Sequence, residues 1–454
     1  MTSVPNHQQL LSGNKLLSLL LILFLFSSCG GSKKATRTKY PNGPRPESGQ
    51  VPKKEGKDVV NAPIPKKTDT ITNPPIHTLP NNDKIPTDRP VKVALLLPFL
   101  TNEFTETAAN INPKSEIAIQ FYGGLKLAMQ DASYQDRPID FTVIDTKASY
   151  SETVNLQSNS TLMDADIIIG PYRKRNAGLI SQMAVTKGKV MISPFTEIKT
   201  NTLTGNGTVI QTFASLETYM NAIINHLIKT GNVNNIVVLK RKNGADNRAV
   251  ISLQNAYKLA NNGLALEPSK VLEVDETDLA FDELDLKEIL TINPNTVFII
   301  PVWKSQNYVT SIVRKIFVSR DPEKSPTIVG MPQWMKFKNL DYQKLNDLHT
   351  IIPSADVLIQ DDKAKSFARR YFETYGTLPE KNAYKGFDTG NFLVQLIKTN
   401  KTDVFTVPNS QNLFVDYHFT EGYNNPSDDL NNQPVIYKNN HVKMLRLMDF
   451  KLQE

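Results

Sequence analysis

The chain has a single cysteine, Cys29, so no intrachain disulfide can form. Histidine is also sparse. Its six copies (His7, His77, His226, His349, His418, His441) are scattered, and none pairs at metal-ligand spacing. H-E-x-x-H, G-x-S-x-G and G-x-x-x-x-G-K-[ST] are all missing, which removes the local signatures of zinc hydrolases, serine hydrolases and phosphate-loop NTPases. The acidic run "DETD" at residues 275–278 could meet a cation but reads as a solvated loop. No catalytic residue, metal ligand or cofactor motif is assigned, and the expectation is a protein that is not an enzyme.

Basic excess is missing where it would matter. The formal net charge is +7, but residues 30–90 hold twelve Lys+Arg against six Asp+Glu, and Lys15 adds one more positive charge. Residues 91–454 are therefore balanced. A nucleic-acid-binding domain carries a basic footprint, and this chain has none in its totals.

Long apolar runs are nearly absent too. The exception is "LLSLLLILFLF" at residues 16–26, preceded by Lys15 and followed by "SSCGG". Eleven apolar-dominated residues behind one positive charge suit a secretory h-region and are short for a bilayer span. Small residues before a cysteine, directly after such a region, resemble a bacterial lipoprotein signal. The resemblance implies cleavage after residue 28 and acylation of Cys29, hence a lipid anchor in the membrane. With Gly30 and Gly31 next and no early acidic run, it also implies an outer-membrane destination, the body facing the periplasm.

Residues 29–90 read as the acylated cysteine and a disordered tether. Residues 30–90 contain eleven of the 28 prolines and few clustered apolar residues, too few to offset chain entropy. As a coil this tether spans about 40–50 Å, and as polyproline II about 190 Å.

Folded structure is expected from residue 91. "VKVALLL", "IDFTVIDT", "ADIIIGP", "KVMISPF" and "TVIQTFA" are short apolar runs alternating with helical patterns such as "IAIQFYGGLKLAMQDA" and "NAGLISQMAV". Strands alternating with helices of 10–15 residues mean βαβ units and parallel sheet. The pattern restarts after residue 213 with "NNIVVLKRK", "SKVLEVD", "NTVFIIPVW" and "PTIVGMP". A helix is expected over residues 151–163 and another through "FDELDLKEIL". The expected organisation is a first lobe over 91–213, a second over 214–352, a return to the first over 353–412, and C-terminal strands at 413–454 in the hinge and second lobe.

The order "VALLLPF", "YGGLKLAMQDA", "FTVIDT", "DIIIGP", "VMISPFT" and the late "FARRYFETYGTLPEKNAYKGFDT" resembles the type I periplasmic binding proteins. That family includes the branched-chain amino-acid receptors and the receptor-like domains of lipoproteins that activate penicillin-binding proteins. The resemblance covers residues 91–454 and implies an α/β fold: two Rossmann-like, doubly wound lobes with parallel sheets, joined by hinge crossovers around a ligand cleft. In the family, the turns after "GP" and "SP" present hydroxyls and N–H groups to a ligand carboxylate. Ser193 and Thr196 match the second turn. The first turn instead carries Tyr172, Arg173, Lys174 and Arg175. The family also holds the ligand amine with a second-lobe carboxylate, whereas "FIIP" here is followed by Val302, Trp303 and Lys304. Tyr172, Arg173, Ser193, Thr196 and Trp303 are the candidate ligand contacts. The resemblance leaves two roles open: an envelope scaffold with a protein partner, such as a peptidoglycan synthase, or a receptor for a small anionic ligand that serves an ABC transporter.

Overall fold

The computed structural model describes residues 85–104, 112–132, 137–267, 270–399, 404–423 and 435–454. Cys29, the apolar leader and most of the expected tether lie outside the described residues.

The run expected as a buried strand is β1 (Val91–Leu97). Successive side chains of a strand point to opposite faces, so an unbroken apolar run needs cover on both. Val93, Leu95 and Leu97 pack with Phe121, Leu125, Phe392 and Leu396 on one face. Ala94 and Leu96 pack with Ile168, Ile180 and Val185 on the other. β1 sits in a sheet of seven with β2 (Ile139–Asp145), β3 (Ile167–Ile169), β4 (Val190–Ser193) and β5 (Thr208–Gln211), all parallel, and with β11 (Phe419–Gly422) and β12 (Ile436–Asn439), in the order β11-β12-β5-β4-β3-β1-β2. Helix α1 (Glu116–Ala132) covers the first face. Instead of one helix over 151–163, two short ones form, α2 (Tyr150–Leu156) and α3 (Ser160–Asp164). Asn159 starts the second afresh, its side-chain oxygen accepting from the Leu162 N–H at 3.0 Å. Helix α4 (Lys174–Thr186) completes this half.

The second sheet repeats the plan in the order β14-β13-β10-β9-β8-β6-β7, with β13 spanning Lys443–Met448 and β14 Lys451–Gln453. It contains β6 (Ile236–Arg241), β7 (Val271–Val274), β8 (Val297–Ile299), β9 (Thr327–Val329) and β10 (Ile351–Ser354), again parallel. Its helices are α5 (Leu216–Lys229), α6 (Asn247–Ala260), α7 (Asp278–Glu283), α8 (Lys287–Ile292), α9 (Gln306–Ser319) and α10 (Tyr342–Asp347). The single helix expected through "FDELDLKEIL" is divided into α7 and α8. The fold class read from the sequence is the one observed: two α/β lobes built on mostly parallel sheets.

The chain then returns to the first lobe as α11 (Asp362–Tyr375) and α12 (Lys381–Thr399). Helix α12 lies on α1 at backbone contact distance. A Cβ at Gly124 would stand 1.8 Å from the Ala383 carbonyl oxygen, and one at Gly386 would stand 2.0 Å from that of Phe121.

Two boundaries differ from the sequence reading. Residues 413–454 were expected in the hinge and second lobe. β11 (Phe419–Gly422) and β12 (Ile436–Asn439) instead extend the first sheet, β12 lying parallel to β5, and only β13 (Lys443–Met448) and β14 (Lys451–Gln453) join the second. The cause is burial: Val415, Tyr417, Phe419 and Tyr437 fill the first lobe's core. The strand expected from residue 413 begins only at Phe419, because the N–H groups of Leu413, Phe414 and Val415 all donate at 2.8 Å to the carboxylate of Asp388 on α12. The second difference is at the tether's end. Residues 85–90 pack on the body. Ile85 is buried, Arg137 donates to the carbonyls of Pro86 and Ile397, and Arg89 forms a two-point ion pair with Asp166 at 2.7 and 2.8 Å.

Three crossings link the sheets, between β5 and α5, between β10 and α11, and between β12 and β13. Asn439, fully buried, joins the first to the third. Its amide donates to the carbonyls of Thr212 and Asp416 and accepts from the N–H groups of His418 and His441. The rings of His418 and His441 meet here, Nδ1 to Nδ1 at 2.7 Å, although 23 residues separate them in sequence.

Candidate binding cleft

A cleft of about 1680 Å³ lies between the lobes. Segments following β3, β4, β5, β8, β9 and β10 line it, together with the end of β6 and the start of α6. Open α/β sheets place ligands at the carboxyl ends of their strands for this topological reason.

The expected contacts divide. Tyr172 lines the cleft, its ring meeting Phe195 edge-on at 5.2 Å. Thr196 lines it and is nearly buried. Trp303 lines it opposite, edge-on to Tyr219 at 5.6 Å, and its buried indole N–H has no hydrogen-bond partner among the described residues. Ser193 is different. It is fully buried, and its hydroxyl donates to the Thr196 carbonyl at 2.8 Å, so it holds the turn together. Arg173 is an exposed residue at the start of α4 and is not among the lining residues. Arg175 turns away onto the face of Tyr150, 3.8 Å from the ring centre. Of the basic turn, only Lys174 reaches the cleft. Trp334 is core: its indole N–H donates to the Val302 carbonyl at 2.8 Å.

The electrostatics were not visible in sequence. Seven lining residues are Lys or Arg (Lys174, Arg241, Arg248, Lys304, Lys336, Lys381, Lys385), against three carboxylates. Each carboxylate is already paired. Glu197 of the first lobe meets Lys174 at 3.4 Å and Arg248 of the second lobe. Burial by itself would raise the Glu197 pKa, but Arg248 and Lys174 outweigh it and hold the group below the ordinary carboxylate range. Asp246 takes two hydrogen bonds from the Arg241 guanidinium at 2.6 and 2.9 Å. Asp356, in the second crossing, meets Lys385 at 3.2 Å. Lys304, Lys336 and Lys381 have no carboxylate partner among the described residues. The amine of Lys381, at the start of α12, lies within hydrogen-bonding reach of Lys336 from the opposite lobe. Partial burial, and then the neighbouring Lys336, pull its pKa down to about 8. Sequence reasoning missed these residues because 45 positions separate 336 from 381 and no local pattern links them. The acidic run at 275–278 does not form a metal site: Asp275 pairs with Lys242 and Glu276 with Arg241, and no cluster of metal-ligating side chains occurs among the described residues.

Two lobes on mostly parallel sheets, three crossings and a cleft at the strand ends constitute the fold of the type I periplasmic binding proteins. A structure described as a branched-chain amino acid ABC transporter from Rhodospirillum rubrum is similar over 80% of this chain and 99% of its own, with TM-score 0.56 and 11% identity. An ABC transporter substrate-binding protein from Desulfitobacterium hafniense is similar over 80% and 99%, with TM-score 0.50 and 13% identity. The C-domain of LpoA from Haemophilus influenzae, a regulator of PBP1A, is similar over 80% and 98%, with TM-score 0.49 and 13% identity. No protein-family model and no curated protein matches the sequence. These neighbours are binding proteins and a regulator, and at such identities the likeness concerns the fold.

Proposed function

We propose that the protein is a bacterial cell-envelope lipoprotein whose non-catalytic body acts as a scaffold or regulator, for example of peptidoglycan synthesis, through protein contacts. The observation that carries this reading is the state of the cleft's carboxylates. All three are held by the protein's own cations, so a zwitterionic amino acid finds no partner for its ammonium group, and Lys304 stands nearby to repel it. Leaving an ammonium desolvated and unpaired costs several kcal/mol, or about two decades of affinity. The volume agrees, since about 1680 Å³ exceeds the roughly 300–1,000 Å³ of ordinary small-ligand pockets. Calorimetry of the purified full-length protein against the standard amino acids is expected to show no neutral or zwitterionic one binding better than about 1 mM. A single micromolar binder among them would overturn the scaffold reading.

The anchor supports an envelope role. Cys29 is the sole acylation candidate, and two or three acyl chains at about 0.8 kcal/mol per buried CH₂ hold a protein stably at a membrane. Cys29→Ser is expected to move the protein from the membrane pellet to the soluble fraction or leave it unprocessed. A mutant that still pellets with outer membranes and resists carbonate would show that the anchor lies elsewhere. A second reading, a solute receptor for a small anionic ligand, is favoured by the surplus of lysines in the cleft.

A further inference from the structure

We propose that the cleft is a site for a dianionic group, a phosphoryl group or a pair of carboxylates, gripped between Lys336 of the second lobe and Lys381 and Lys385 of the first. This deepens the anionic-ligand reading of the cleft and rests on it. Lys336 ends the single-turn helix Pro332–Lys336 that follows β9, while Lys381 and Lys385 lie one helical turn apart at the start of α12. All three line the cleft. Asp356 neutralises one of them through its 3.2 Å contact with Lys385. The other two amines line the same cleft from opposite lobes, and neither has a carboxylate ion-pair partner among the described residues. Like charges within hydrogen-bonding reach repel, and relief comes either from losing a proton or from an anion placed between them. Two uncompensated positive charges match a group carrying two negative ones. A phosphate monoester carries about −1.5 to −2 at neutral pH, and a dicarboxylate carries two. A single carboxylate leaves one lysine unmatched. Because the amines come from opposite lobes, the bound anion also joins them, which suits a fold whose lobes meet at three crossings. The remainder of the ligand would lie against Tyr172, Phe195, Tyr219 and Trp303.

The proton balance gives a signature beyond affinity. The charged groups facing Lys381 are Lys336, Lys385 and Asp356. Lys381 is protonated well below pH 8 and loses its proton as pH rises past about 8, so a site that needs both charges weakens above that pH and takes up a proton on binding near it.

The test is calorimetry of the full-length protein with inorganic phosphate, succinate and acetate at pH 7.0 and 9.5. Phosphate or succinate is expected to bind at least about tenfold more tightly than acetate at pH 7.0, and to lose about tenfold or more in affinity at pH 9.5. Which of the two binds identifies the source of the charge. Lys336→Gln and Lys381→Gln are each expected to weaken that binding by about tenfold or more while leaving the ligand-free melting temperature equal or higher, because each removes a repulsion. A fall in melting temperature with unchanged phosphate and succinate binding overturns the proposal and makes the lysines structural. Dianions that bind no better than acetate overturn it while leaving the anionic-ligand reading intact. If no anion binds, both fail together.

Discussion

Gly124→Val is expected to cost the first lobe about 4 kcal/mol, near the top of the range for single substitutions. The reason is geometric. α1 and α12 meet along Gly124, Gly386 and Gly390, where a Cβ would stand 1.8 Å from a carbonyl oxygen, 2.0 Å from another, and 2.7 Å from the Ala128 methyl. Backbone cannot yield as a side chain does, so the helices must separate, and Phe121, Leu125 and Phe392 between them lose their contacts. Urea unfolding followed by far-ultraviolet circular dichroism should show an early transition. Tryptophan fluorescence should lag behind it, because both tryptophans, Trp303 and Trp334, belong to the second lobe. Gly178→Ala is the control. Its Cβ meets nothing within 4 Å on α4, and the change should be neutral or stabilise by up to about 1 kcal/mol. Equal midpoints for Gly124→Val and the wild type would refute the close packing of these two helices.

Asp388→Ala is expected to cost about 3–4 kcal/mol through a different cause, the orphaning of three amide N–H groups. Asp388 is fully buried, and its two oxygens hold the segment 413–415 against α12. Burial pushes its carboxyl up to about 7, against the opposing pull of the three amides. The sign follows. A carboxyl whose pKa is higher folded than the roughly 3.9 of the unfolded chain stabilises most below the unfolded value, and that contribution is lost as pH rises through the folded value. The gap between wild type and variant should therefore be widest below about pH 4, shrink between about pH 4 and 7, and stay narrow above 7. Asp388→Asn keeps the volume but presents an NH₂ group to at least one amide N–H, and should recover only part of the loss. Denaturation midpoints at pH 5 and 8 measure both effects. A gap that widens with pH would show that the amides govern this carboxyl and burial does not.

Much of the fold was legible because it is written in local patterns. "VALLL" and "DIIIG" are apolar without interruption, which only strands covered on both faces can be, and the helical stretches between them require parallel crossovers. Where a local residue could reset the chain, the reading was coarser. Asn159 caps a new short helix, and Leu284 turns extended after α7, so that in each place two helices stand where periodicity indicated one. The candidate site was half legible. Tyr172, Thr196 and Trp303 follow strands and reach the cleft, whereas Ser193 is turned to its own loop by the Thr196 carbonyl and Arg175 is drawn onto Tyr150.

The sequence by itself determined two α/β lobes, the absence of catalytic signatures and the single acylation candidate, because each depends on residue types and short spacings. Tertiary structure alone decided the rest. It gave β11 and β12 to the first sheet, since Tyr417, Phe419 and Tyr437 are buried only there. It joined His418 to His441 at the third crossing. It paired every cleft carboxylate with a cation and left Lys336 facing Lys381 from the other lobe. Charge pairing depends on separation in space, and in a chain that crosses between its lobes three times, separation in space cannot be read from separation in sequence.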